Sequence, residues 1–414
     1  MKVFYITFVF LFSFALFGQQ PEKILIFYTE AGGGHIATAS ALKSALSERY
    51  ESAQIEFICT SDCLGNFFEK ERFKGLEKIY TQNLGSPVGR LLNRLYGDWI
   101  INPITKILEY LSERQMLQQK ERHPLIQYLK NKQPDLVIST ASFINKHLKN
   151  AMEYGDIKAP FIVVMSDFDE AQEVMWTRPG NGTHYIIKTH AKLKNNIDPR
   201  YLYPISGMCI RSAFSAEKTK SYKIFDSLGL SITKPTALVA FGGYGSEEMK
   251  DLLHFFNLNE ELQAIFICGT NNKLYHQLSE SAKPNTRILG FVDNLHEYMN
   301  ACHLLIGKPG PGMVTEAIHC HLPVFLRGGI DLMKQEESVL DWVLEEKFGD
   351  KWENFEDFQQ KFGEILTHMH LYKKNIEMSV RKNPTLEAID HIDRIYKETL
   401  PKSPEAKVAN YTFY

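Results

Sequence analysis

The segment "KILIFYTEAGGGHIATASALKSAL" (Lys23–Leu46) decides the fold, because it joins a short apolar run to a helical pattern through three consecutive glycines. The apolar run predicts a buried strand, and the alanine-rich stretch predicts a helix from about Ile36. Glycines at a strand-to-helix junction let backbone N–H groups approach a phosphate or a sugar beside the helix N-terminus. A tight turn without a ligand is the alternative explanation of these glycines.

The same alternation of apolar runs and helical patterns continues along the chain in two series. The first series reads "IEFICT", "DLVIST", "FIVVMSD" and "HYIIKT", and the second reads "TALVAFGGYGSEEM", "AIFICGT", "TRILGFV", "HLLIGKPGPG" and "LPVFLRGG". Strands that alternate with helices indicate parallel sheets, because parallel neighbours need long crossover connections. We therefore predict an α/β protein with two doubly wound domains and a ligand-binding cleft between them.

The restart of the pattern after the polar stretch that follows "ISGMCIR" sets the predicted domain boundaries. A chain of 414 residues is long enough for two domains of about 150 to 200 residues each. The predicted units are a signal peptide or membrane anchor, an N-terminal domain, a C-terminal domain, and a C-terminal helix with a tail, over residues 1–20, 21–215, 216–380 and 381–414.

The first twenty residues, "MKVFYITFVFLFSFALFGQQ", carry one lysine and then an uncharged apolar run from Val3 to Phe17. Such a run is typical of a secretory signal peptide. Its length lies near the lower limit for crossing a bilayer, so an uncleaved anchor is an equal alternative. A buried strand or helix is the third interpretation.

Charge and cysteine content exclude some classes of function. The formal net charge of −2 gives no indication of a nucleic-acid partner. The six cysteines are scattered without CxxC pairs, which argues against a structural zinc site and a disulfide framework and favours a reducing compartment. In "IHCHLP", adjacent His319, Cys320 and His321 point in different directions on a helix end, so we predict packing and capping rather than a metal site.

The segment Asn83–Leu111 combines leucine, isoleucine, tyrosine and tryptophan with two arginines. Arg90 and Arg94 could contact lipid phosphates while Tyr96 and Trp99 lie at the membrane interface. An amphipathic helix that packs against the rest of the domain is the alternative.

His35 follows directly after Gly32, Gly33 and Gly34. An imidazole at the mouth of a cleft can take a proton from a hydroxyl near neutral pH. His35 is therefore a candidate general base, with a structural histidine as the alternative.

A second glycine loop, "FGGYGSEE", follows the first strand of the second series. Its Gly242, Gly243 and Gly245 could receive a diphosphate in the same way as the first loop. By itself this loop is a weak signal, because many strand-to-helix turns carry glycine.

The stretch "GKPGPGMVTEAIHCHLPVFL" is more specific. A strand ends in Lys308, Pro309 and Gly310, and Gly312 and a helix with Glu316 follow. A carboxylate in such a helix could accept hydrogen bonds from a ribose diol while the backbone amides face a phosphate. An ordinary capped helix with an acidic residue is the alternative.

Downstream, "MKQEES" contains Gln335 and Glu336. Amide and carboxylate side chains of this kind suit the hydroxyl groups of a sugar. A solvated charged turn is the alternative.

These motifs in this order resemble a known family. "GGGH", "ISGMCIR", "GGYG", "ICGTNNKL", "LGFVDNLHEYMNACHLLIGKPGPGMVTEA", "LPVFL" and "QEE" are similar to the monogalactosyldiacylglycerol synthases and processive diacylglycerol glucosyltransferases. More remotely, they are similar to the peptidoglycan enzyme that adds N-acetylglucosamine to a lipid-linked muramyl peptide. The resemblance covers roughly residues 22 to 345.

The resemblance implies a GT-B fold, in which two Rossmann-like domains face each other across a cleft. It also implies inverting transfer from a UDP-sugar without a metal or another cofactor. The implied acceptor is a lipid, diacylglycerol, held near the membrane by the N-terminal domain.

The resemblance also implies roles for single residues. His35 matches the histidine after the glycine loop, a base or acceptor orienter, and Asp167 matches the acidic residue of a Thr-Asp motif that Trp176 follows. Glu316 matches a ribose-binding glutamate. The remaining implied contacts are those of the donor sugar, at Gln335 and Glu336, and those of uracil and diphosphate, near Gly243, Gly245, Phe291, Val292, Pro309, Gly310 and Gly312.

Three positions depart from the pattern of the family that the chain resembles. Ser166 stands where threonine is usual, and Glu173 stands where a histidine often precedes the tryptophan. Val339 falls where an asparagine commonly follows the Gln-Glu pair. An exchange of histidine for glutamate changes the charge and the proton supply beside the acceptor, so the acceptor and the donor sugar stay open.

Two other functions stay open on the sequence alone. One is a GT-B enzyme with another acceptor, such as a UDP-sugar epimerase or a glycosyltransferase with a soluble acceptor. The other is a protein that binds nucleotide sugars without catalysis. Because UDP-sugars are cytosolic, we expect the N-terminal segment to anchor the chain on the cytosolic face of a membrane, with a secretory signal as the alternative.

Overall fold

The computed structural model describes residues 20–29, 33–63, 102–142, 144–170, 176–180, 182–214, 223–330, 332–380 and 382–400. Four of the sequence predictions therefore fall wholly or mostly outside the described residues. They concern the N-terminal signal or anchor, Gly32, Glu173 and residues 83–101 of the candidate lipid-contacting segment.

The first domain is built on a parallel sheet of six strands in the order β2-β1-β3-β4-β5-β6. Five of these strands, β1 to β5, carry the apolar runs that the sequence predicts, and burial on both faces explains the continuous hydrophobicity of β1, β3, β4 and β5. The strands are β1 Lys23–Tyr28, β2 Gln54–Cys59, β3 Leu136–Ser139, β4 Phe161–Val164, β5 His184–Lys188 and β6 Leu202–Ile205.

The second domain contains a second parallel sheet of six strands, in the order β12-β11-β10-β7-β8-β9. Strand order reverses beside β7, as in doubly wound nucleotide-binding folds. The strands are β7 Thr236–Ala240, β8 Gln263–Ile267, β9 Thr286–Leu289, β10 Leu304–Gly307, β11 Val324–Arg327 and β12 Gly349–Trp352.

Helices connect the strands and cover both sheets. In the described part of the chain, no helix is both long enough and apolar enough to cross a membrane. The α-helices are α1 Gly33–Arg49, α2 Thr60–Cys63, α3 Asn102–Gln118, α4 Pro124–Lys132, α5 Asn145–Tyr154, α6 Lys223–Leu228, α7 Met249–Leu258, α8 Asn272–Ser279, α9 Leu295–Ala301, α10 Pro311–His319, α11 Lys334–Glu345, α12 Phe355–Ser379 and α13 Pro384–Thr399.

The last helix, α13, packs on the first domain although it follows the second. Its Ile389 and Ile392 belong to the same buried cluster as Ile24 and Ile26 of β1. The carboxylate of Asp393 accepts hydrogen bonds from side chains of α1 and of the residue after it, at 3.0 Å from Arg49 Nη2 and 2.9 Å from the Tyr50 hydroxyl. The chain therefore crosses between the two domains twice.

The first crossing, just after β6, is held by threonine side chains of two helices. The backbone N–H of Met208 donates to Oγ1 of Thr315 in α10 at 3.3 Å. The N–H of Ile210 donates to Oγ1 of Thr385 in α13 at 2.8 Å, and that hydroxyl donates back to the Ile210 carbonyl at 2.7 Å. These bonds tie the interdomain linker to both domains.

Two details differ from the sequence prediction. Helix α1 begins at Gly33, three residues before the predicted start, so Gly33 and Gly34 form its first turn. The apolar runs did not identify β6 and β12, because a proline in "LYPI" and two charged residues in "GDKW" interrupt them.

Candidate active site

The candidate residues lie at the carboxyl ends of the two sheets. In the first sheet, β1 pairs with both β2 and β3, and in the second sheet, β7 pairs with both β8 and β10. Strand order reverses at these points, and the loops that leave neighbouring strands there diverge to open a crevice. His35 follows β1, and the two glycine loops of the second domain follow β7 and β10.

The ring of His35 is held by two oxygen atoms next to its Nδ1. His35 is 8% exposed, and its Nδ1 lies 2.9 Å from the carbonyl oxygen of Thr140 and 2.9 Å from Oγ of Ser166. The Thr140 hydroxyl also donates to the His35 carbonyl at 3.1 Å. Because a carbonyl oxygen only accepts, we assign the proton of the neutral ring to Nδ1 and the lone pair to Nε2. His35 can therefore accept a proton at Nε2.

The departure at Ser166 is compatible with this arrangement. The hydroxyl beside His35 is a feature that serine shares with threonine, so the hydrogen bond does not need the threonine methyl group.

Asp167 is partly buried beside the same ring. The indole N–H of Trp176 donates to its Oδ2 at 3.0 Å, and the Trp176 ring lies 5.6 Å from the His35 ring. Burial raises the pKa of Asp167 above its usual range, and the negative charge of Glu336 adds to this rise. His35 and the Trp176 N–H act in the opposite direction by favouring the carboxylate.

The two domains touch beside Asp167. The Phe168 ring of the first domain lies 5.0 Å from the Trp342 ring of α11, nearly edge to face. The ammonium group of Lys188 lies 4.6 Å from the Phe168 ring and 5.2 Å from the Trp342 ring. This cation–π contact stabilises the approach of the two halves of the cleft.

In the second domain, the loop after β7 brings its backbone close to the next loop. Gly242 and Gly245 adopt φ angles of 81° and 61°, which favour glycine. The carbonyl of Gly243 accepts from N–H and Oγ1 of Thr270 at 2.8 and 3.0 Å. A Cβ placed on Gly243 has no neighbour within 4 Å in the described residues, so this side of the loop is open to a ligand.

The loop after β10 is open in the same way. Pro309 is buried, and Gly310 is the residue that precedes the first turn of α10. Apart from the adjoining residues of the chain, no atom of the described residues lies within 4 Å of a Cβ built on Gly310 or on Gly312. The N-terminus of α10 therefore lies beside accessible space, where an anion is stabilised by the helix dipole.

Glu316 lies in the second turn of α10 and is 9% exposed. Burial raises its pKa to about 7, against a weaker opposing effect of the positive charge of Arg211. Both forms of this carboxyl group are therefore available near neutral pH.

Gln335 and Glu336 lie in the first turn of α11, and both are buried. Oε1 of Glu336 accepts from the ammonium group of Lys308 at 3.0 Å, and Oε2 accepts from the Met333 N–H at 3.4 Å. The ion pair between Lys308 and Glu336 connects the loop after β10 to α11. The departure at Val339 lies in the same helix, where Val339 is completely buried in the core of the second domain.

Phe291 and Val292 follow β9 and differ in exposure. Phe291 is 71% exposed, whereas Val292 is partly buried against the core of the second domain. Tyr244 and Ile330, after β7 and β11, are also exposed. This end of the sheet therefore offers apolar surface beside the open backbone.

The structure brings the predicted residues together in two groups. His35 and Asp167 form one group with Trp176, and the glycine loops, Glu316 and the Gln335–Glu336 pair form the other. The sequence motifs missed the partners Thr140, Glu170, Lys188 and Trp342, because nothing local distinguishes a side chain that binds a distant one.

In the described residues, no cluster of three or more histidine, cysteine or acidic side chains could hold a metal ion.

Comparison with known proteins gives matches over most of the chain. The model of the glycosyltransferase family 28 C-terminal domain matches residues 242–326. The chain is 22% identical to the chloroplastic monogalactosyldiacylglycerol synthase of Spinacia oleracea, over 92% of this chain and 74% of that protein. It is 29% identical to the processive diacylglycerol beta-glucosyltransferase of Bacillus pumilus, over 77% of this chain and 80% of that protein.

For monogalactosyldiacylglycerol synthase 1 of Arabidopsis thaliana, the identity is 24%, over 80% of this chain and 62% of that protein. The chain thus spans less than two thirds of that relative.

Solved structures agree on the fold. MurG of Acinetobacter baumannii has a TM-score of 0.55 at 12% identity, over 90% of this chain and 100% of that chain. The spinosyn rhamnosyltransferase SpnG, complexed with thymidine diphosphate, has a TM-score of 0.58 at 9% identity, over 90% of this chain and 100% of that chain.

The predicted resemblance and the predicted GT-B fold are confirmed, and the chain is a glycosyltransferase.

Proposed function

We propose that this enzyme moves a hexose, galactose or glucose, from a UDP-sugar to diacylglycerol with inversion at the anomeric carbon. The observation that carries the proposal is the approach of the two groups across the cleft, where Phe168, next to Asp167, lies 5.0 Å from the Trp342 ring of α11. The negative charge of Glu336 in the same helix acts on Asp167. The monogalactosyldiacylglycerol synthase and the processive diacylglycerol beta-glucosyltransferase among the relatives support the choice of acceptor.

The donor would lie in the second domain. The amides before and within the first turn of α10, beside Gly310 and Gly312, would stabilise the charge of the leaving diphosphate without a metal ion or another cofactor. Glu316 would accept hydrogen bonds from the ribose, and Gln335 and Glu336 would bind the sugar.

The first domain would supply the proton acceptor. The acceptor hydroxyl forms a bond to the anomeric carbon while the bond from that carbon to the diphosphate breaks on the opposite face. The hydroxyl proton passes to Nε2 of His35, whose Nδ1 is fixed by Thr140 and Ser166. Asp167 would stabilise the imidazolium that forms, through the charge interaction between the two groups. Contact of the two domains would exclude water, which otherwise hydrolyses the donor.

A lipid surface would lie against the first domain, on the cytosolic side of the membrane. Helix α3 exposes Ile107, Tyr110, Leu111 and Leu117. Apolar side chains at these positions suit an interfacial contact, which supports the proposal of a lipid acceptor.

The test is transfer of sugar to diacylglycerol in liposomes, from UDP-galactose, UDP-glucose, UDP-N-acetylglucosamine and UDP-glucuronate in turn. We expect glycolipid from a UDP-hexose with the wild type, and loss of product with His35→Ala and with Glu316→Ala. His370→Ala, at an exposed position on α12, is the matched control and should keep full activity.

Two outcomes contradict the proposal in different ways. UDP binding that depends on Glu316, with no glycolipid from any donor, would mean another acceptor or a protein that binds without catalysis. Turnover of a UDP-sugar without any acceptor lipid would favour an epimerase.

A further inference from the structure

We propose that Glu170 is a positioning residue, which fixes the segment that begins at Trp176 so that the indole N–H of Trp176 stays on the Asp167 carboxylate. The inference rests on the proposed role of Asp167 in transfer. It concerns a residue that no sequence motif identified.

Glu170 is a buried carboxylate surrounded by donors. It is 1% exposed. Its Oε1 accepts from the backbone N–H groups of Trp176 and Thr177 at 2.9 and 2.8 Å. Its Oε2 accepts from the Thr177 hydroxyl at 2.5 Å and from the Lys194 N–H at 3.2 Å.

These four bonds suit an ionised carboxylate. Both of its oxygens only accept hydrogen bonds, whereas the amide of glutamine would turn its NH2 group towards a backbone N–H that cannot accept. Hydrogen bonds to a charged group are stronger than those between neutral groups, and leaving their donors unsatisfied is costly in a buried place. Glu170 therefore fixes the backbone of residues 176–177.

Trp176 transmits this constraint to the active site. Its carbonyl accepts from the Asn145 side chain at 3.1 Å, so its backbone is held on both sides. Its indole N–H reaches Oδ2 of Asp167 at 3.0 Å, and its ring is completely buried. A movement of this backbone would move the indole N–H away from Asp167.

The hydrogen bond from Trp176 favours the ionised form of Asp167. The other groups that face Asp167 are His35, which acts in the same direction, and Glu336, which opposes it and is itself paired with Lys308. Loss of the indole donor therefore raises the pKa of Asp167 further, since burial already raises it. In a plot of kcat/KM against pH, the decline on the acidic side, called the acidic limb below, then lies at higher pH.

The experiment is a double-mutant cycle with Glu170→Gln and Trp176→Phe. Phenylalanine keeps most of the buried ring and removes only the indole donor. We expect each single variant to lower kcat/KM about tenfold and to move the acidic limb to higher pH, because each loses a hydrogen bond to a charged group. We expect the double variant to resemble Trp176→Phe, because Glu170 acts through Trp176.

Additive effects of the two substitutions, or an unchanged acidic limb in Glu170→Gln, would overturn the inference and leave Glu170 with a structural role only. If Glu170→Gln does not fold, Thr177→Val takes its place in the double-mutant cycle with Trp176→Phe. This substitution removes one of the four bonds to Glu170, so we expect a smaller movement of the acidic limb. Glu280→Gln, at an exposed helix end, is the control.

A second measurement separates this inference from the proposed function. The chain has four tryptophans, so the indole N–H signal of Trp176 in a ¹⁵N spectrum is the one missing from Trp176→Phe. We expect that signal to titrate with Asp167 in the wild type and to lose this titration in Glu170→Gln. A wild type that transfers no sugar would contradict the proposed function, whereas an indole signal unaffected by Glu170→Gln would contradict the role of Glu170.

Discussion

The first-domain half of the cleft presents hydrogen-bonded side chains, whereas the second-domain half presents backbone and open space. His35 and Asp167 each have a fixed partner within about 3 Å, at Nδ1 and Oδ2. Gly310 and Gly312 lie beside the N-terminus of α10, and a Cβ there would meet nothing within 4 Å in the described chain.

This difference suits the first half to proton transfer and the second half to nucleotide binding. A proton acceptor needs a defined tautomer and a defined pKa, which only fixed neighbours provide. A nucleotide diphosphate needs amide donors and room for its oxygens, which side chains would obstruct. Substitutions in the first half should therefore change the rate of transfer, and substitutions in the second half should change donor affinity.

The largest effect is expected from Asp167→Asn. Asparagine keeps the size of the side chain but removes the negative charge that faces His35 and places an amide beside the indole donor. We expect kcat to fall by about 10²- to 10⁴-fold, with UDP affinity unchanged, because the His35 imidazolium loses the negative charge that stabilises it and general-base catalysis is lost with it. Steady-state kinetics and calorimetric titration with UDP measure the two quantities.

Asp251→Asn, at an exposed position on α7, serves as the control for this substitution. A parallel fall in UDP affinity and in kcat would contradict the separation of the two halves.

The sequence predicts His35, and the family resemblance predicts Asp167, but neither predicts the contacts that hold these two residues. Both follow apolar strands, and the alternation of strands and helices already places such residues at one edge of a sheet. The partners of His35 are a carbonyl oxygen and a serine hydroxyl from the loops that follow β3 and β4, and these have no local signature. Glu170 was missed for the same reason, since only the folded chain shows which charged residues are buried.

The fold was predictable where an apolar run is continuous. Strand β7 is buried at every position, and its apolar run identified it. The edge strands β2 and β9 are less buried, but their apolar residues identified them as well. The edge strands β6 and β12 were missed because a proline in "LYPI" and two charged residues in "GDKW" interrupt the apolar run.

An intermediate effect is expected from Glu316→Gln and depends on pH. Burial raises the pKa of Glu316 to about 7, so the wild type binds more protons when folded and loses stability as the pH rises through 7. At pH 8, glutamine should raise the free energy of unfolding by on the order of 3 kcal/mol, and by much less at pH 5. Thermal unfolding at both pH values measures this difference.

The same residue should make nucleotide binding pH-dependent. If the ribose diol donates to the carboxylate, the affinity of the wild type for UDP should rise about tenfold from pH 6 to pH 8. Ionisation of the UDP phosphates affects the wild type and Glu316→Gln equally. The difference in the pH dependence of UDP affinity between the two proteins therefore reports Glu316 alone. Equal pH dependence in both proteins would remove Glu316 from the nucleotide site.

The smallest effect is expected from Gly312→Ala, compared with Gly363→Ala. Both glycines lie in helices, and a Cβ on either meets nothing within 4 Å in the residues that the structure describes. Alanine favours helix over glycine by up to about 1 kcal/mol, so both variants should melt at a slightly higher temperature than the wild type. Only Gly312→Ala should weaken UDP binding, by a few-fold, because its methyl group occupies the space beside the α10 amides. Unchanged UDP affinity in a more stable Gly312→Ala would mean that the diphosphate lies elsewhere, and a matching loss in Gly363→Ala would mean that the effect is not local. A gain in stability together with a loss of affinity would show that this glycine is retained for the ligand at the expense of the helix.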